Sequence, residues 1–364
     1  MCANVAVAMS GGVDSSAAAW LLKEAGHQLA GVTMKLFDNG DAGVDGESSC
    51  CSLDDVEDAR AVARHLGFPH YVFNFSPCFR AQVMDPFAAA YERGETPNPC
   101  IDCNKHLKFG ALLQRARELG RDQVATGHYV RLSLDGGSGR WLLRKAAHLE
   151  KDQSYVLYSL SQDQLAHSLF PLGGLSKEEV RAAAREHGLI NARKRESQDI
   201  CFVPDGDYAA FIRRHTGHAY PPGPFWDESG LVLGTHQGIV NYTVGQRRGL
   251  GISSGGGRLY VKEIRAGENA VVLSGGDGLF SSTLTAGRIN WIPFDTLNAP
   301  MRLRAKIRYR MAEQPCTVEQ TGPDTLHVTF DRPQRAVTPG QAVVFYDGDV
   351  VVGGATIQKG AQET

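Results

Sequence analysis

Val5-Ala6-Val7-Ala8-Met9-Ser10-Gly11-Gly12-Val13-Asp14-Ser15-Ser16 opens on a short apolar run, breaks at two glycines and continues as Ala17-Ala18-Ala19-Trp20-Leu21-Leu22. The order reads strand, turn, helix. Five apolar residues are too few for a helix, the paired glycines allow a tight turn with close backbone approach, and Ser15 to Glu24 is a good helix former. Such a turn collects the backbone N–H groups of Gly11 to Ser16 at the positive end of a helix, where a phosphate can accept the hydrogen bonds the helix leaves open. No Lys follows the glycines, so the Walker pattern is absent. The site therefore favours the pyrophosphate end of a nucleotide, with Asp14 available for a magnesium ion. A Gly-Gly pair with a serine cap also occurs in turns that bind nothing; the length of the matched string in its strand–helix setting argues for the nucleotide.

This string resembles the signature of the pyrophosphatase-loop ATP enzymes, which cleave ATP between the α- and β-phosphates and pass AMP to a substrate oxygen. That superfamily includes amide-forming synthetases and tRNA-thiolating enzymes, so the rest of the chain must choose. At 364 residues the chain is expected to form more than one domain. Its 42% apolar and 21% charged content is that of a globular protein. No run near eighteen apolar residues and no basic leader is present, so neither a membrane span nor a secretory signal is indicated and the cytoplasm is the expected location. Eight cysteines are then read as reduced thiols for chemistry or metal rather than a disulfide framework. A net charge of −2 excludes a protein basic all over, and nucleic acid would need a local patch.

Leu29 to Phe37, His70 to Phe75 and Val124-Ala125-Thr126 read as further strands. Ser52 caps a helix with Asp54, Asp55 and Glu57 in its first turn, Ala81 to Tyr91 reads as another, and Ser176 with Glu179 forms a capping box. Strands alternating with helices predict an α/β, doubly wound parallel sheet whose ligands sit beyond the carboxyl ends of the strands, so Gly11-Gly12 and Gly127-His128 can face one nucleotide. Trp141 to Lys145 pairs as a hairpin with Val130 to Leu134. Pro221-Pro222-Gly223-Pro224 breaks the pattern, and from Thr283 the chain is all β. The expected domains are 1–206 for nucleotide chemistry, a small mixed domain over 207–282, and a small β-barrel over 283–364.

Thr96-Pro97-Asn98-Pro99-Cys100-Ile101-Asp102-Cys103-Asn104-Lys105 is the next sharp signal. The prolines exclude helix before Cys100 and put Cys103 in or near the first turn of the following helix, where the dipole and Lys105 favour a thiolate nucleophile. Half a zinc site is the rival, but a second C-x-x-C or paired His motif is missing. Cys201, taken alone, reads as a buried apolar residue. Cys2, Cys50, Cys51, Cys78 and Cys316 read as structural or incidental.

Ser10 to Ser16, Pro97-Asn98-Pro99-Cys100-x-x-Cys103-Asn104-Lys105, Thr126-Gly127-His128-Tyr129, Lys151-Asp152-Gln153-Ser154-Tyr155, Gln198-Asp199-Ile200-Cys201-Phe202, the Tyr242 to Gly251 string and Thr338-Pro339-Gly340-Gln341-Ala342, in this order, resemble the tRNA-specific 2-thiouridylases over nearly the whole chain. The resemblance implies an adenine-nucleotide α-hydrolase-like first domain. It also implies a reaction: ATP adenylates the C2 oxygen of a wobble uridine in tRNA, and sulfur then replaces AMP. Ala8, Met9, Ser10, Gly11, Gly12, Val13, Asp14, Ser15, Met34 and Gly127 would hold ATP, with magnesium at Asp14. Cys201 would carry a persulfide from a sulfur donor protein, such as a cysteine desulfurase or sulfur relay, and Cys103 would attack it. Asn98, Pro99 and Cys100 would lie against a flipped base, and His128, Lys151, Asp152, Gln153, Arg308, Tyr309 and Gln341 would touch tRNA. Many family members have Asp where this chain has Cys100, so that residue's acid–base role does not carry over, although Asp102 is near. Cys100, Cys103 and Cys201 could instead hold a 4Fe-4S cluster with an open iron. An amide-forming synthetase, and an RNA-binding protein with a dead loop, are the other readings.

Met301-Arg302-Leu303-Arg304-Ala305-Lys306-Ile307-Arg308-Tyr309-Arg310 would, as one strand, set five cations on one face and Leu303, Ala305, Ile307 and Tyr309 on the other. Phosphate binding would relieve that repulsion, which marks the barrel as a tRNA contact. Arg193-Lys194-Arg195 and Arg247-Arg248 are further cations of this kind.

Overall fold

The computed structural model describes residues 2–38, 53–192, 194, 200–252 and 257–359. The expected cap at Ser52, Cys50, Cys51, Arg193, Arg195, Gln198 and Asp199 lie outside the described residues. The chain divides into two compact units, one of Met1–Val83, Pro99–Gly206 and Gly348–Val351, the other of Met84–Asn98, Asp207–Asp347 and Val352–Thr364.

The first unit holds the parallel sheet. Its strands are β1 (Asn4–Ala8), β2 (Gln28–Lys35), β3 (His70–Asn74), β4 (Gln123–Ala125) and, after the hairpin strands β5 (Val130–Leu134) and β6 (Trp141–Lys145), β7 (Ser168–Leu169). Their order is β3-β2-β1-β4-β7, with every neighbour parallel. Val5, Ala6 and Val7 are fully buried, as a central strand covered on both faces requires. The helix Val13–Glu24 packs Ala17, Ala18 and Ala19 inward, and their small side chains let it approach closely. Helix Lys177–Glu186 starts at the capping box of Ser176 and Glu179. The hairpin forms in the expected register, Val130 opposite Lys145.

Two helical expectations change. Ala81 to Tyr91 is not one helix: a π-helical turn, Arg80–Met84, precedes the helix Asp85–Glu92, whose first turn contains Pro86. The cysteine segment begins with the short helix Pro99–Asp102, continues as a π-helix, Cys103–Ala111, and only then becomes α-helical over Leu112–Glu118.

The second unit contains a four-stranded sheet of β8 (Gly223–Trp226), β9 (Val232–His236), β10 (Tyr260–Arg265) and β11 (Ala270–Ser274) in the order β10-β11-β8-β9. It also contains an antiparallel barrel. Strands β12 (Phe280–Trp291), β13 (Met301–Lys306), β14 (Gln314–Gly322), β15 (Thr325–Arg335), β16 (Ala342–Asp347) and β17 (Val350–Ile357) run in the order β12-β15-β14-β13-β16-β17, and β17 pairs back onto β12. Closure removes the open edges. Leu303, Ala305, Ile307, Val318, Val328 and Phe345 fill the interior.

The basic strand is shorter than its sequence suggests. β13 stops at Lys306, and Tyr309 lies exposed beyond it instead of facing the core. Nor is the cationic face of one sign. Arg302 donates to both carboxylate oxygens of Asp331 at 2.8 and 2.7 Å, and Arg304 donates to the Glu313 carbonyl at 2.9 Å. Arg308 donates to the carbonyls of Arg335 and Ala336. The balancing acids come from Asp331 on β15 and Glu313 ahead of β14, which a local reading of 301–310 cannot see.

Truncating Phe345, which has no exposed surface, should cost about 3–5 kcal/mol in a denaturant melt. Arg302→Ala, which removes an exposed ion pair, should leave the midpoint of the same melt nearly unchanged.

Candidate active site

A cavity of about 430 Å³ opens at the carboxyl end of the parallel sheet, within the first unit. Its floor is the glycine turn. Ala8, Met9, Ser10, Gly12, Val13, Asp14 and Ser15 line it, with Met34 from the end of β2 and Gly127 from the turn after β4. Gly11 stands apart from this lining. It adopts φ 71°, and its carbonyl accepts a 3.0 Å hydrogen bond from Asn191. Asn191 also donates to Ser16 Oγ at 2.7 Å, so a side chain distant in sequence fixes the back of the turn. Ser15 Oγ donates to the Gly12 carbonyl at 3.0 Å.

Gly127 permits the two turns to meet. A Cβ on it would lie 2.7 Å from the carbonyl carbon of Asp14 and 2.8 Å from the amide nitrogen of Ser15, both backbone atoms that cannot move aside. His128 follows, buried, its Nδ1 2.7 Å from Thr126 Oγ1. Gln153 accepts a 3.0 Å bond from the Tyr129 amide and lines the cavity beside His128.

Asp14 is already engaged. Lys177, itself buried, donates to its two oxygens at 2.7 and 2.8 Å, and Tyr129 Oη donates at 2.7 Å. As arranged, the carboxylate neutralises a lysine and does not fit a resident magnesium ion. Asp55, also in the lining, is balanced by Lys194 at 2.6 Å. Burial opposes the charge on Lys194, but hydrogen bonds to Asp55 and Asp58 outweigh it and hold the ammonium above its usual range.

Another part of the lining carries sulfur. Pro99, Cys100 and Cys103 line it from the cysteine segment, and Ile200, Cys201 and Phe202 from a turn. Phe202 anchors that turn by packing edge-on to Phe79, ring centres 5.6 Å apart. Cys103 is buried, Cys201 half-buried and Cys100 exposed, and none is in a disulfide. Among the described residues no group of three His, Cys, Asp or Glu side chains could hold a single metal ion, and Cys100, Cys103 and Cys201 share the cavity lining. Lys105, expected to support Cys103, is exposed and outside the lining; Lys108 takes its place in the cavity wall.

Three family models match the chain. One described as a tRNA methyl transferase HUP domain covers residues 3–205, one as a tRNA methyl transferase PRC-barrel domain 209–275, and one as an aminomethyltransferase β-barrel domain 281–357. The tRNA-specific 2-thiouridylase MnmA of Clostridioides difficile is 48% identical, over 98% of each chain. Its namesake in Clostridium acetobutylicum is 48% identical over 98% of this chain and 99% of its own, and MnmA 1 of Thermoanaerobacter sp. is 51% identical over 98% of both. This chain belongs to the tRNA-specific 2-thiouridylase family.

Within this thiouridylase-family fold, the other expected contact residues fall unevenly. Asp152 is buried and accepts from Ala146 N, Ser154 N and Ser154 Oγ, so its carboxylate shapes a turn. Gln341 donates to the Thr96 carbonyl at 2.8 Å, and Pro339 accepts from the Thr96 amide at 2.8 Å, which ties the stretch before Asn98 to the barrel. Lys151 is half-buried, and Arg247 and Arg248 are exposed. Asn191 and Lys177 escaped the sequence reading because each is placed by a contact remote in sequence, and Lys108 because its placement depends on the π-helical register. Among the described residues no helix is long and apolar enough to cross a membrane.

Lys177→Met leaves Asp14 partly buried without its cation and should cost about 1–3 kcal/mol, discounted from a fully buried pair because Asp14 is part-exposed; a thermal or denaturant melt measures it. Burial first, and the Lys108 charge second, hold the His128 imidazole well below 6.5. The unfolded chain therefore binds a proton that the folded chain refuses, and stability falls as pH drops below that value. His128→Gln should flatten this loss between about pH 7 and pH 5 without abolishing it, since His70, His106 and His236 are shifted the same way.

Proposed function

We propose that this protein is a tRNA 2-thiouridine synthase, an ATP-dependent tRNA-uridine 2-sulfurtransferase. The carrying observation is that the glycine turn, Cys103 and Cys201 line one cavity. A chemistry that couples AMP transfer to sulfur needs those groups within reach of one atom. ATP enters as its magnesium complex, and the turn from Ser10 to Ser15 receives its phosphates. Attack by the uridine O2 on the α-phosphorus expels pyrophosphate and makes AMP the leaving group at C2.

Sulfur arrives as a persulfide on Cys201. Cys103 thiolate attacks the inner sulfur of that persulfide, forming a Cys103–Cys201 disulfide and expelling hydrosulfide, which adds to C2 as AMP departs. An external thiol then reduces the disulfide for the next cycle. The persulfide needs a sulfur-donor protein as partner. This route needs only the two thiols Cys103 and Cys201 and no iron–sulfur cluster.

Residues 1–206 are assigned to this chemistry, 207–282 to the central domain and 283–364 to the barrel that contacts tRNA. The partly paired cations on β13 and the exposed Tyr309 support that assignment. Pro99 and Cys100, which line the cavity, would lie against an extruded uridine. The family descriptions speak of methyl transfer, but two thiols facing a pyrophosphate turn have no part in moving a methyl group. An amide-forming synthetase would likewise leave both thiols idle.

Cys103→Ser and Cys201→Ser should each lower thiolation of a wobble-uridine tRNA by at least about 100-fold while tRNA-dependent pyrophosphate release persists. Cys100→Ser should still thiolate, and so should protein free of iron. Thiolation surviving either of the first two changes would refute the sulfur route.

A further inference from the structure

Lys108 carries the cavity's uncommitted positive charge. It is half-buried and lines the wall, and among the described residues it makes no ion pair. The neighbouring ammonium groups are engaged, Lys194 by Asp55 and Asp58 and Lys177 by Asp14. Its placement follows from the helix type. In an α-helix, residues five apart diverge by about 140°. In a π-helix the i→i+5 hydrogen bond stacks them, and the segment Cys103–Ala111 ends with the Leu112 amide bonded to the Leu107 carbonyl, five residues back. Cys103 and Lys108 therefore share one face, and both open into the cavity.

Lys108 and the glycine turn line the same cavity, and His128 lies between them in the chain of contacts. Lys108 acts electrostatically on His128. The residue before His128, Gly127, packs against the backbone of Asp14 and Ser15. Ser10 to Ser16 contains no lysine of its own, although a transferred phosphate needs a cation held close. The geometry points to Lys108 as a catalytic residue that contacts the α-phosphate of bound ATP, a cation delivered by the cysteine segment to a phosphate turn that lacks one.

This inference rests on the ATP-dependent thiolation reading above. In the step concerned, the uridine O2 forms a bond to the α-phosphorus, and the bond from that phosphorus to the bridging oxygen breaks. Pyrophosphate leaves with the electron pair, and the N3 proton passes to solvent. Lys108 stabilises the negative charge that builds on the non-bridging oxygens. The same contact then holds AMP over Cys103 until sulfur displaces it.

The test is single-turnover pyrophosphate release with ATP and a transcript bearing a wobble uridine, for the wild type, Lys108→Met and Lys108→Arg. The methionine variant should lose about 100-fold or more, and the arginine variant should recover at least tenfold of that loss. The pH midpoint for iodoacetamide alkylation of Cys103 is measured in the same variants. If Lys108→Met does not fold, Lys108→Gln repeats the measurement. A folded neutral variant that releases pyrophosphate at the wild-type rate overturns the inference. A raised alkylation midpoint with release unchanged overturns it too, since the lysine would then serve the thiolate. Wild-type protein that releases no pyrophosphate with tRNA refutes the functional reading itself, a separate outcome.

Discussion

The close approach of two strand-end turns governs the site. β1 and β4 are adjacent and parallel, so the turns that follow them leave the same edge of the sheet. They can touch only where one has no side chain, and Gly127 meets the backbone of Asp14 and Ser15 at that point. Any Cβ there would push His128 and Thr126 away from the glycine turn and split the cavity. The sheet thereby determines where a phosphate can sit before any catalytic side chain is considered.

A second constraint is helical register. An ordinary α-helix from Pro99 would rotate Lys108 away from Cys103. The π-helical stretch keeps Leu107 and Phe109 fully buried, and buries Asn104 with its amide donating to the Val156 carbonyl at 3.0 Å, while Cys103 and Lys108 remain on the cavity side. The irregular hydrogen-bond pattern is held in place by these buried anchors. Such stretches often mark functional segments because they re-aim side chains that a regular helix would disperse.

This explains what the sequence could and could not reveal. The parallel sheet, the hairpin, the barrel and the capping box at Ser176 were legible because each is encoded by residues near one another: apolar runs, glycine turns, Ser176 with Glu179. Resemblance brought Cys103 and Cys201 together, and the cavity they share is a tertiary property. Local reading chose Lys105 as the cation for Cys103 because it is closer in sequence, and the π-register favours Lys108. It made the cations of 301–310 a row of one sign because Asp331 and Glu313 arrive from beyond that stretch.

The cavity's charge balance follows the same logic. Two carboxylates, Asp14 and Asp55, line a site proposed to receive a polyanion, and bare carboxylates there would repel it at the short range where low dielectric strengthens the force. Each is neutralised from outside the turn, Asp14 by Lys177 and Asp55 by Lys194. With both acids balanced, Lys108 is left as net positive charge in the lining it shares with the glycine turn. Lys177, Lys194 and Lys108 belong to different segments, so the site's electrostatics exist only in the folded chain. A phosphate is therefore attracted by the assembled fold rather than by the loop alone, and for that reason the glycine turn can manage without a lysine of its own.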